Sequence, residues 1–225
     1  MKLKICGMNH NPTEVAALQP DYLGFIFWEP SSRYFFGDMP KLPSSIKKVG
    51  VFVDAPLEEL MEKVEQYQLN AVQLHGKESA EYCNALRHVE LHSASQKDET
   101  SEPVRSDQFD IIKVFSIKDD FDFDVLKDYE DVCDYFLFDT KGKLPGGNGY
   151  TFDWSVLEKY PSNKPYFLSG GIGLDSSEKL KSFLNSPASK NCFAIDVNSK
   201  FERAPGLKNI EDLKIFIESL ESDIN

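Results

Sequence analysis

The feature that most constrains this chain is a regular alternation of two hydrophobic periods. Short apolar segments rich in β-branched and aromatic residues alternate with segments of helical periodicity, and the pattern recurs eight times. Strict strand–helix alternation predicts parallel strands joined by right-handed crossovers. Eight such units favour a closed (β/α)8 barrel, the TIM-barrel fold class of α/β proteins. The predicted strands cover residues 3–7, 22–28, 49–53, 71–75, 111–115, 135–139, 166–169 and 192–197.

A doubly wound open sheet is the alternative to the barrel. That fold usually has fewer strands and a glycine-rich turn after the first one. The turn at residues 7–10 reads GMNH and lacks the GxGxxG spacing. No low-complexity tract or composition break divides the chain, so we expect one barrel domain over residues 1–225. The predicted helices cover residues 12–18, 56–68, 79–89, 125–132, 154–160, 176–184 and 210–220, while 29–46 is predicted as a loop with a poorly defined short helix and 90–110 is not assigned.

Charge and cysteine content limit the partners of this chain. It has 25 Lys+Arg against 37 Asp+Glu, a formal charge of −12, which argues against a nucleic-acid or anionic-membrane partner. No stretch approaches the roughly 20 apolar residues of a membrane span, and we expect no secretory signal. The four cysteines show no CxxC pairing, which predicts free thiols in a reducing cytoplasm and no zinc site. A small anionic substrate stays compatible with this composition, because a few local groups can override net charge.

Polar residues and glycines stand at the predicted strand ends, where barrel enzymes carry their chemistry. After the seventh strand, Gly170 and Gly171 can expose backbone N–H groups to a phosphate, and Asn198 and Ser199 after the eighth can open a short helix toward the same anion. The alternative for the glycines is a tight turn that needs positive φ. The candidates at strand ends are Cys6, Arg33, Asp54, His75, Asp139, Gly170, Gly171, Asp196, Asn198 and Ser199.

Three of these candidates could act together on one substrate, two of them as a general base and a general acid and the third as a binding residue. Cys6 as a thiolate could take a proton, and Asp139 could give one across the barrel mouth. Arg33 could clamp a carboxylate in bidentate fashion. Each has a simpler alternative: a buried small hydrophobe for Cys6, a turn former for Asp139 and a solvated surface residue for Arg33. His75 is either a substrate contact or a satisfied core histidine.

The calcium-loop-like pattern of aspartates at 120–124 is discounted. Val125 stands where such a loop needs glycine, and Asp131 where it needs a bidentate glutamate. A solvated start of a helix explains these aspartates better, so no metal site is expected.

The same residues carry a family resemblance that runs in order along nearly the whole chain. The chain resembles the phosphoribosylanthranilate isomerases of tryptophan biosynthesis. The matching segments are KICGM at 4–8, DYLGFIF at 21–27, SRY at 32–34, GVFVD at 50–54, VQLHG at 72–76, FDT at 138–140, GGNG at 146–149, LSGGI at 168–172, DVNS at 196–199 and PG at 205–206.

The resemblance implies a cofactor-free barrel enzyme that acts on a small phosphorylated substrate. It implies conversion of N-(5-phosphoribosyl)anthranilate to 1-(2-carboxyphenylamino)-1-deoxyribulose 5-phosphate. Cys6 matches the family's general base, Asp139 its general acid and Arg33 the residue that holds the anthranilate carboxylate. Gly170, Gly171, Asn198 and Ser199 fall in its phosphate-binding loops, and His75 and Asp196 are further substrate-site candidates. A monomer or a homodimer is expected.

The proposed chemistry sets an electrostatic requirement. The base must be ionised while the acid keeps its proton, so we expect the surroundings of Cys6 to lower the pKa of its thiol. Four positions depart from the family pattern: Ser32 replaces a proline, Asn148 a threonine, Lys200 a glycine and Asn209 an aspartate.

Three other functions stay open. The first is the histidine-pathway isomerase, which performs the same rearrangement but would favour an aspartate in place of Cys6. The second is indole-glycerol-phosphate synthase, which needs a catalytic lysine at a strand end, whereas Lys113 lies inside a predicted strand. The third is a non-catalytic binder of a phosphorylated ligand, with Cys6 buried and inert.

Overall fold

Eight parallel strands close into a barrel in the computed structural model, which describes residues 1–89, 109–118, 120–140 and 153–224, with side chains up to 220. The predicted barrel is therefore confirmed, while its extent as one domain over 1–225 stays a prediction. The predicted motif at 146–149 and most of the unassigned segment 90–110 lie outside the described residues. The strands are β1 (Lys2–Ile5), β2 (Tyr22–Ile26), β3 (Lys47–Phe52), β4 (Ala71–Leu74), β5 (Asp110–Ile117), β6 (Tyr135–Thr140), β7 (Tyr166–Leu168) and β8 (Cys192–Val197).

Barrel closure joins the first and last strands. β1 pairs in parallel with β8, with Lys4 opposite Asp196 and Ile5 opposite Val197. An open doubly wound sheet would leave these strands as edges, so this alternative is excluded. Closure also brings residues from the two ends of the sequence to the same point of the barrel mouth.

Helices cover the outside of the barrel. The α-helices are α1 (Pro12–Ala16), α2 (Leu57–Tyr67), α3 (Ala80–Arg87), α4 (Ser177–Leu184) and α5 (Ile210–Ile224). Where helices were predicted at 125–132 and 154–160, the chain forms 3-10 helices, Phe123–Tyr129 and Trp154–Lys159. In both, an aspartate side chain accepts a hydrogen bond from the N–H two residues on, which favours a tight first turn: Asp122 from Asp124 and Asp153 from Ser155.

The chain after β8 contains a hairpin that was not predicted. β9 (Glu202–Ala204) pairs antiparallel with β10 (Leu207–Lys208). The Pro205-Gly206 dipeptide forms the turn, and Gly206 adopts a φ of 79°. Asn11, the residue before α1, makes no side-chain cap bond. Instead its Oδ1 accepts from the Lys208 N–H at 2.9 Å, which ties the hairpin to the loop after β1.

Apolar side chains fill the amino-terminal part of the barrel interior. The rings of Tyr22 on β2 and Phe167 on β7 lie 5.6 Å apart although these strands are not neighbours, so the rings meet across the interior. The cluster consists of Tyr22, Val49, Ala71, Ile112, Val114, Leu137, Phe167 and Ala194. Nearer the carboxyl ends the interior becomes polar. The apolar cluster therefore closes the amino-terminal part of the interior, beneath the polar residues of the mouth. In the described part of the chain, no helix has both the length and the apolar character that crossing a membrane demands.

Candidate active site

A cavity opens at the carboxyl ends of the strands. It encloses about 660 Å³, including the part open to solvent. All the candidates predicted at strand ends except Arg33 and Asp54 contribute to its wall. These residues are Cys6, His75, Asp139, Gly170, Gly171, Asp196, Asn198 and Ser199.

Cys6 follows β1 directly and faces this cavity. Its thiol needs the glycine on the neighbouring strand, because a Cβ added at Gly24 would lie 2.7 Å from Sγ. That distance is too short for a real contact. A glycine inside a buried strand therefore has a packing reason here: it leaves the space that the thiol occupies.

A buried ion pair lies beside Cys6. The Lys4 Nζ is 2.8 Å from the Asp196 Oδ1, and both side chains are almost fully buried. Burial alone would lower the pKa of Lys4, but Asp196 and Cys6 outweigh burial and raise it. Lys4 is therefore a cation inside the barrel.

Burial dominates the ionisation of Cys6. It raises the pKa of the thiol above the ordinary value of 9.0, although the cations of Lys4 and Lys208 oppose it. The prediction of a lowered Cys6 pKa is therefore wrong for the free protein. The physical reason is that the cavity removes the thiolate from water more effectively than the lysines stabilise it.

Asp139 ends β6 on the other side of the mouth. Its Oδ1 accepts a hydrogen bond from the Thr140 N–H at 2.9 Å, and its Oδ2 lies 3.4 Å from the His75 Nε2. On the far side of the imidazole, Nδ1 lies 3.4 Å from the Gln73 Nε2. The carboxyl group thus has one oxygen held by backbone and the other facing an imidazole.

The loops after β7 and β8 form the wall opposite β3. Gly170 and Gly171 have φ values of 99° and 69°, so the tight turn that the sequence left open does exist. Both glycines also line the cavity, together with Asn198 and Ser199. The tight turn and the phosphate-binding loop are therefore compatible interpretations of this segment.

Lys200, where the family pattern has glycine, lies in a short 3-10 helix, Ser199–Phe201. It lines the cavity, and its Nζ lies 3.1 Å from the Asp175 Oδ2. At the start of the following helix the Ser176 Oγ accepts a hydrogen bond from the Gly173 N–H at 2.9 Å, while Asp175 pairs with the lysine.

Arg33 binds a carboxylate of the protein itself. Its Nε and Nη2 donate to the Glu202 side chain at 2.7–2.9 Å, in a forked arrangement. The Lys208 Nζ donates to the same carboxylate at 2.8 Å. Burial opposes ionisation of Glu202, but Arg33 and Lys208 outweigh it and hold its pKa below the usual range. Arg33 thus lies next to the site without lining the cavity.

Comparison with known proteins gives the family. The family described as N-(5'-phosphoribosyl)anthranilate (PRA) isomerase matches the chain over residues 3–108 and 86–219. The chain belongs to this isomerase family.

Individual PRA isomerases resemble the chain over its whole length. The N-(5'-phosphoribosyl)anthranilate isomerase of Parabacteroides distasonis is 39% identical over 232 residues, covering 98% of this chain and 93% of the relative. The crystal structure of phosphoribosyl anthranilate isomerase from Thermotoga maritima superposes with a TM-score of 0.75 at 28% identity, covering 99% of both chains. Another solved structure, with a TM-score of 0.70, 25% identity and 99% coverage of both chains, is a phosphoribosyl anthranilate isomerase in complex with reduced 1-(o-carboxyphenylamino)-1-deoxyribulose 5-phosphate.

The position of Lys113 argues against the synthase alternative. Its Nζ lies 2.8 Å from the Glu78 Oε2 and donates to the Gly76 carbonyl at 2.9 Å. Lys113 does not line the cavity. Lys113 is buried in this ion pair outside the cavity, so it is not placed to act as the catalytic lysine of a synthase.

Several polar residues in and around this site were missed at the sequence level. Lys4, Glu202 and Lys208 form the buried ion pairs described above, and Gln73 lines the cavity with an Oε1 that has no partner among the described residues. A signal existed for two of them. Lys4 and Gln73 interrupt apolar strands at positions that face the interior, where an unpaired polar side chain is costly.

The raised thiol pKa can be measured in the free protein. Only the thiolate reacts with iodoacetamide, so we expect modification of Cys6 to be slow at pH 7 and to keep rising beyond pH 9.0. Mass spectrometry of the Cys6 peptide separates this residue from the other three cysteines. The unfolded chain is the control, and its titration midpoint should be lower. A folded midpoint at or below the unfolded one would contradict the burial argument.

Proposed function

We propose that this chain is a phosphoribosylanthranilate isomerase in which Cys6 and Asp139 carry the proton transfers. The substrate is N-(5-phosphoribosyl)anthranilate, and the product is 1-(2-carboxyphenylamino)-1-deoxyribulose 5-phosphate. The observation that carries the proposal is that the thiol after β1 and the carboxyl group on β6 line one cavity, in a chain that belongs to the PRA isomerase family.

The first step is assigned to Asp139. Its carboxyl group, protonated, donates to the ring oxygen of the furanose. The bond between that oxygen and C1′ breaks, and the nitrogen lone pair forms an iminium at C1′. The Thr140 N–H and His75 orient the carboxyl group for this transfer.

The second step is assigned to Cys6. The iminium acidifies the C2′ proton, and the thiolate removes it to give an enolamine. Tautomerisation of the enolamine then produces the ketone. One proton is given by Asp139 and one is taken by Cys6, so the reaction is a net isomerisation, and neither a redox partner nor a cofactor enters the proposed steps.

Binding of the two anionic ends of the substrate is assigned to different walls. The backbone N–H groups around Gly170 and Gly171, with Asn198 and Ser199, suit a phosphate. Arg33 suits the anthranilate carboxylate, and its contact with Glu202 shows the forked geometry that a guanidinium adopts toward a carboxylate. His75 and Asp196 complete the proposed substrate contacts. The location proposed for the protein is the cytoplasm, which its free thiols support, and a monomer or homodimer is the proposed assembly.

A fluorescence assay tests the activity directly. Purified protein should consume the fluorescent anthranilate–ribose phosphate without added metal or cofactor. The second candidate, a binder of phosphorylated ligands, rests on the buried state of the Cys6 thiol. Under that alternative the substrate signal would persist while a phosphate-bearing product analogue still bound, and such a result would overturn the isomerase proposal.

A further inference from the structure

The site poses an electrostatic problem that its assigned residues do not solve. The proposed base must be a thiolate, yet Cys6 is 4% exposed and the cavity disfavours its charge. In many proteins a cation close to the sulfur lowers the pKa of such a thiol. Two buried lysines stand near enough to Cys6 to act on it, Lys4 and Lys208.

The two lysines differ in their other contacts. Lys208 donates to Glu202 at 2.8 Å and to the side chain and backbone carbonyl of Asn198 at 2.8 and 3.1 Å. Its ammonium is therefore committed to holding the hairpin against the loop after β8. Lys4 donates to Asp196 at 2.8 Å and acts on the Cys6 side chain as well.

Strand geometry places Lys4 on the side of Cys6. The two residues are separated by one position at the end of β1, so their side chains leave the same face of the strand. That face is the barrel interior, because Asp196, opposite Lys4 on β8, lines the cavity with Cys6. The ammonium thus lies between a carboxylate and a thiol.

We propose that Lys4 is a positioning residue for the isomerase reaction, a buried cation that Asp196 holds in place and that stabilises the thiolate of Cys6. This inference rests on the proposed function, because it assigns Lys4 a role through the proposed base. Asp196 then has two opposed effects on the thiolate: it fixes the ammonium and it repels the sulfur's negative charge.

Several charged groups face this arrangement. Lys4 approaches Cys6 from β1, Asp196 from β8 and Lys208 from β10, while Asp139 on β6 acts on Asp196. Lys4 and Asp196 dominate the comparison, because their charges affect the Cys6 thiol more than that of Lys208 does. Removing each of them should therefore shift the Cys6 titration in opposite directions.

The experiment measures the pH dependence of iodoacetamide modification at the Cys6 peptide in the folded free protein. Lys4→Met should move the midpoint up by about one unit or more, which lowers the modification rate at a fixed pH about tenfold. Asp196→Asn should move the midpoint down. Lys113→Met is the matched control, since it removes a buried lysine that is ion-paired at the same 2.8 Å but lies outside the cavity, and it should leave the Cys6 midpoint unchanged.

A second comparison covers the case in which Lys4→Met does not fold, because that variant leaves the Asp196 carboxylate buried without its partner. The double variant Lys4→Met/Asp196→Asn removes both charges. Its midpoint should lie above that of Asp196→Asn alone, since the two proteins differ only in the cation. Equal midpoints in these two proteins, or an unchanged midpoint in Lys4→Met, would overturn the proposal.

Measurement of kcat and KM distinguishes failure of this inference from failure of the proposed function. Lys4→Met should lower kcat about tenfold or more with little change in KM, since Lys4 does not line the cavity. Wild-type activity together with an unshifted Cys6 midpoint in Lys4→Met would reject the role of Lys4 and leave the isomerase standing. Absence of wild-type activity would reject the isomerase whatever the midpoints are.

Discussion

Cys6→Ser is expected to lower kcat by about 10²–10⁴, the usual contribution of a general base. A hydroxyl in the same place is a far weaker acid than a thiol, so it provides almost no anion to remove the C2′ proton. The side chain keeps nearly the same size, and the space that Gly24 leaves for it stays filled. The fluorescence assay measures the loss, and a phosphate-bearing product analogue should bind within a few-fold of wild type.

Cys192→Ser is the matched control for this substitution. Cys192 begins β8, at the end of the barrel away from the cavity, and is half-buried. We expect its serine variant to keep wild-type turnover. Full activity in Cys6→Ala would remove Cys6 from the mechanism. A loss of about tenfold would show that another group takes most of the proton transfer.

The alternation of strand and helix hydrophobic periods in the sequence was enough to predict the barrel. Each strand is a short apolar segment, and the structure reproduces the eight of them with shifts of a few residues at their ends; β5, for example, was predicted at 111–115 and spans Asp110–Ile117. The segments predicted as helices at 125–132 and 154–160 form 3-10 helices instead, because their capping aspartates favour a tight first turn over a full α-helix. Local chemistry decides such short elements more than hydrophobic period does.

The candidate site shows where sequence reasoning reaches its limit. Position at strand ends selected the residues of the cavity wall, because a parallel barrel brings all those ends together. The buried ion pairs could not be predicted, because their partners come from distant parts of the sequence. Lys4 and Asp196 are 192 residues apart and Arg33 and Glu202 are 169 apart, so only closure of the barrel and the hairpin after β8 makes them partners.

The wrong prediction for the thiol has the same origin. Chemistry required a thiolate, and the lowered Cys6 pKa was inferred from that requirement alone. Burial is a property of the folded cavity, and it acts in the opposite direction. The free protein therefore holds the base as a thiol, and the energy needed to ionise it has to be supplied by neighbouring cations or by substrate.

Asp139→Asn is expected to lower kcat by about 10²–10⁴, equivalent to about 3–5 kcal/mol of transition-state stabilisation. The amide has the shape of the carboxyl group and can keep an oxygen toward the Thr140 N–H. It cannot release a proton to the furanose oxygen, so ring opening loses its acid. Binding of the product analogue should stay within a few-fold of wild type, because the proposed anion contacts lie on other walls.

Asp110→Asn provides the comparison that isolates this loss. Asp110 starts β5, at the opposite end of the barrel from Asp139, and its half-buried carboxylate pairs with Lys47 at 3.2 Å. Both variants remove one carboxylate from the same fold, and only Asp139→Asn should lose turnover. If both variants kept wild-type kcat, the proton for ring opening would have to come from a group other than Asp139. His75 is the first candidate for that role, because its Nε2 lies 3.4 Å from the same carboxyl oxygen and both residues line the cavity.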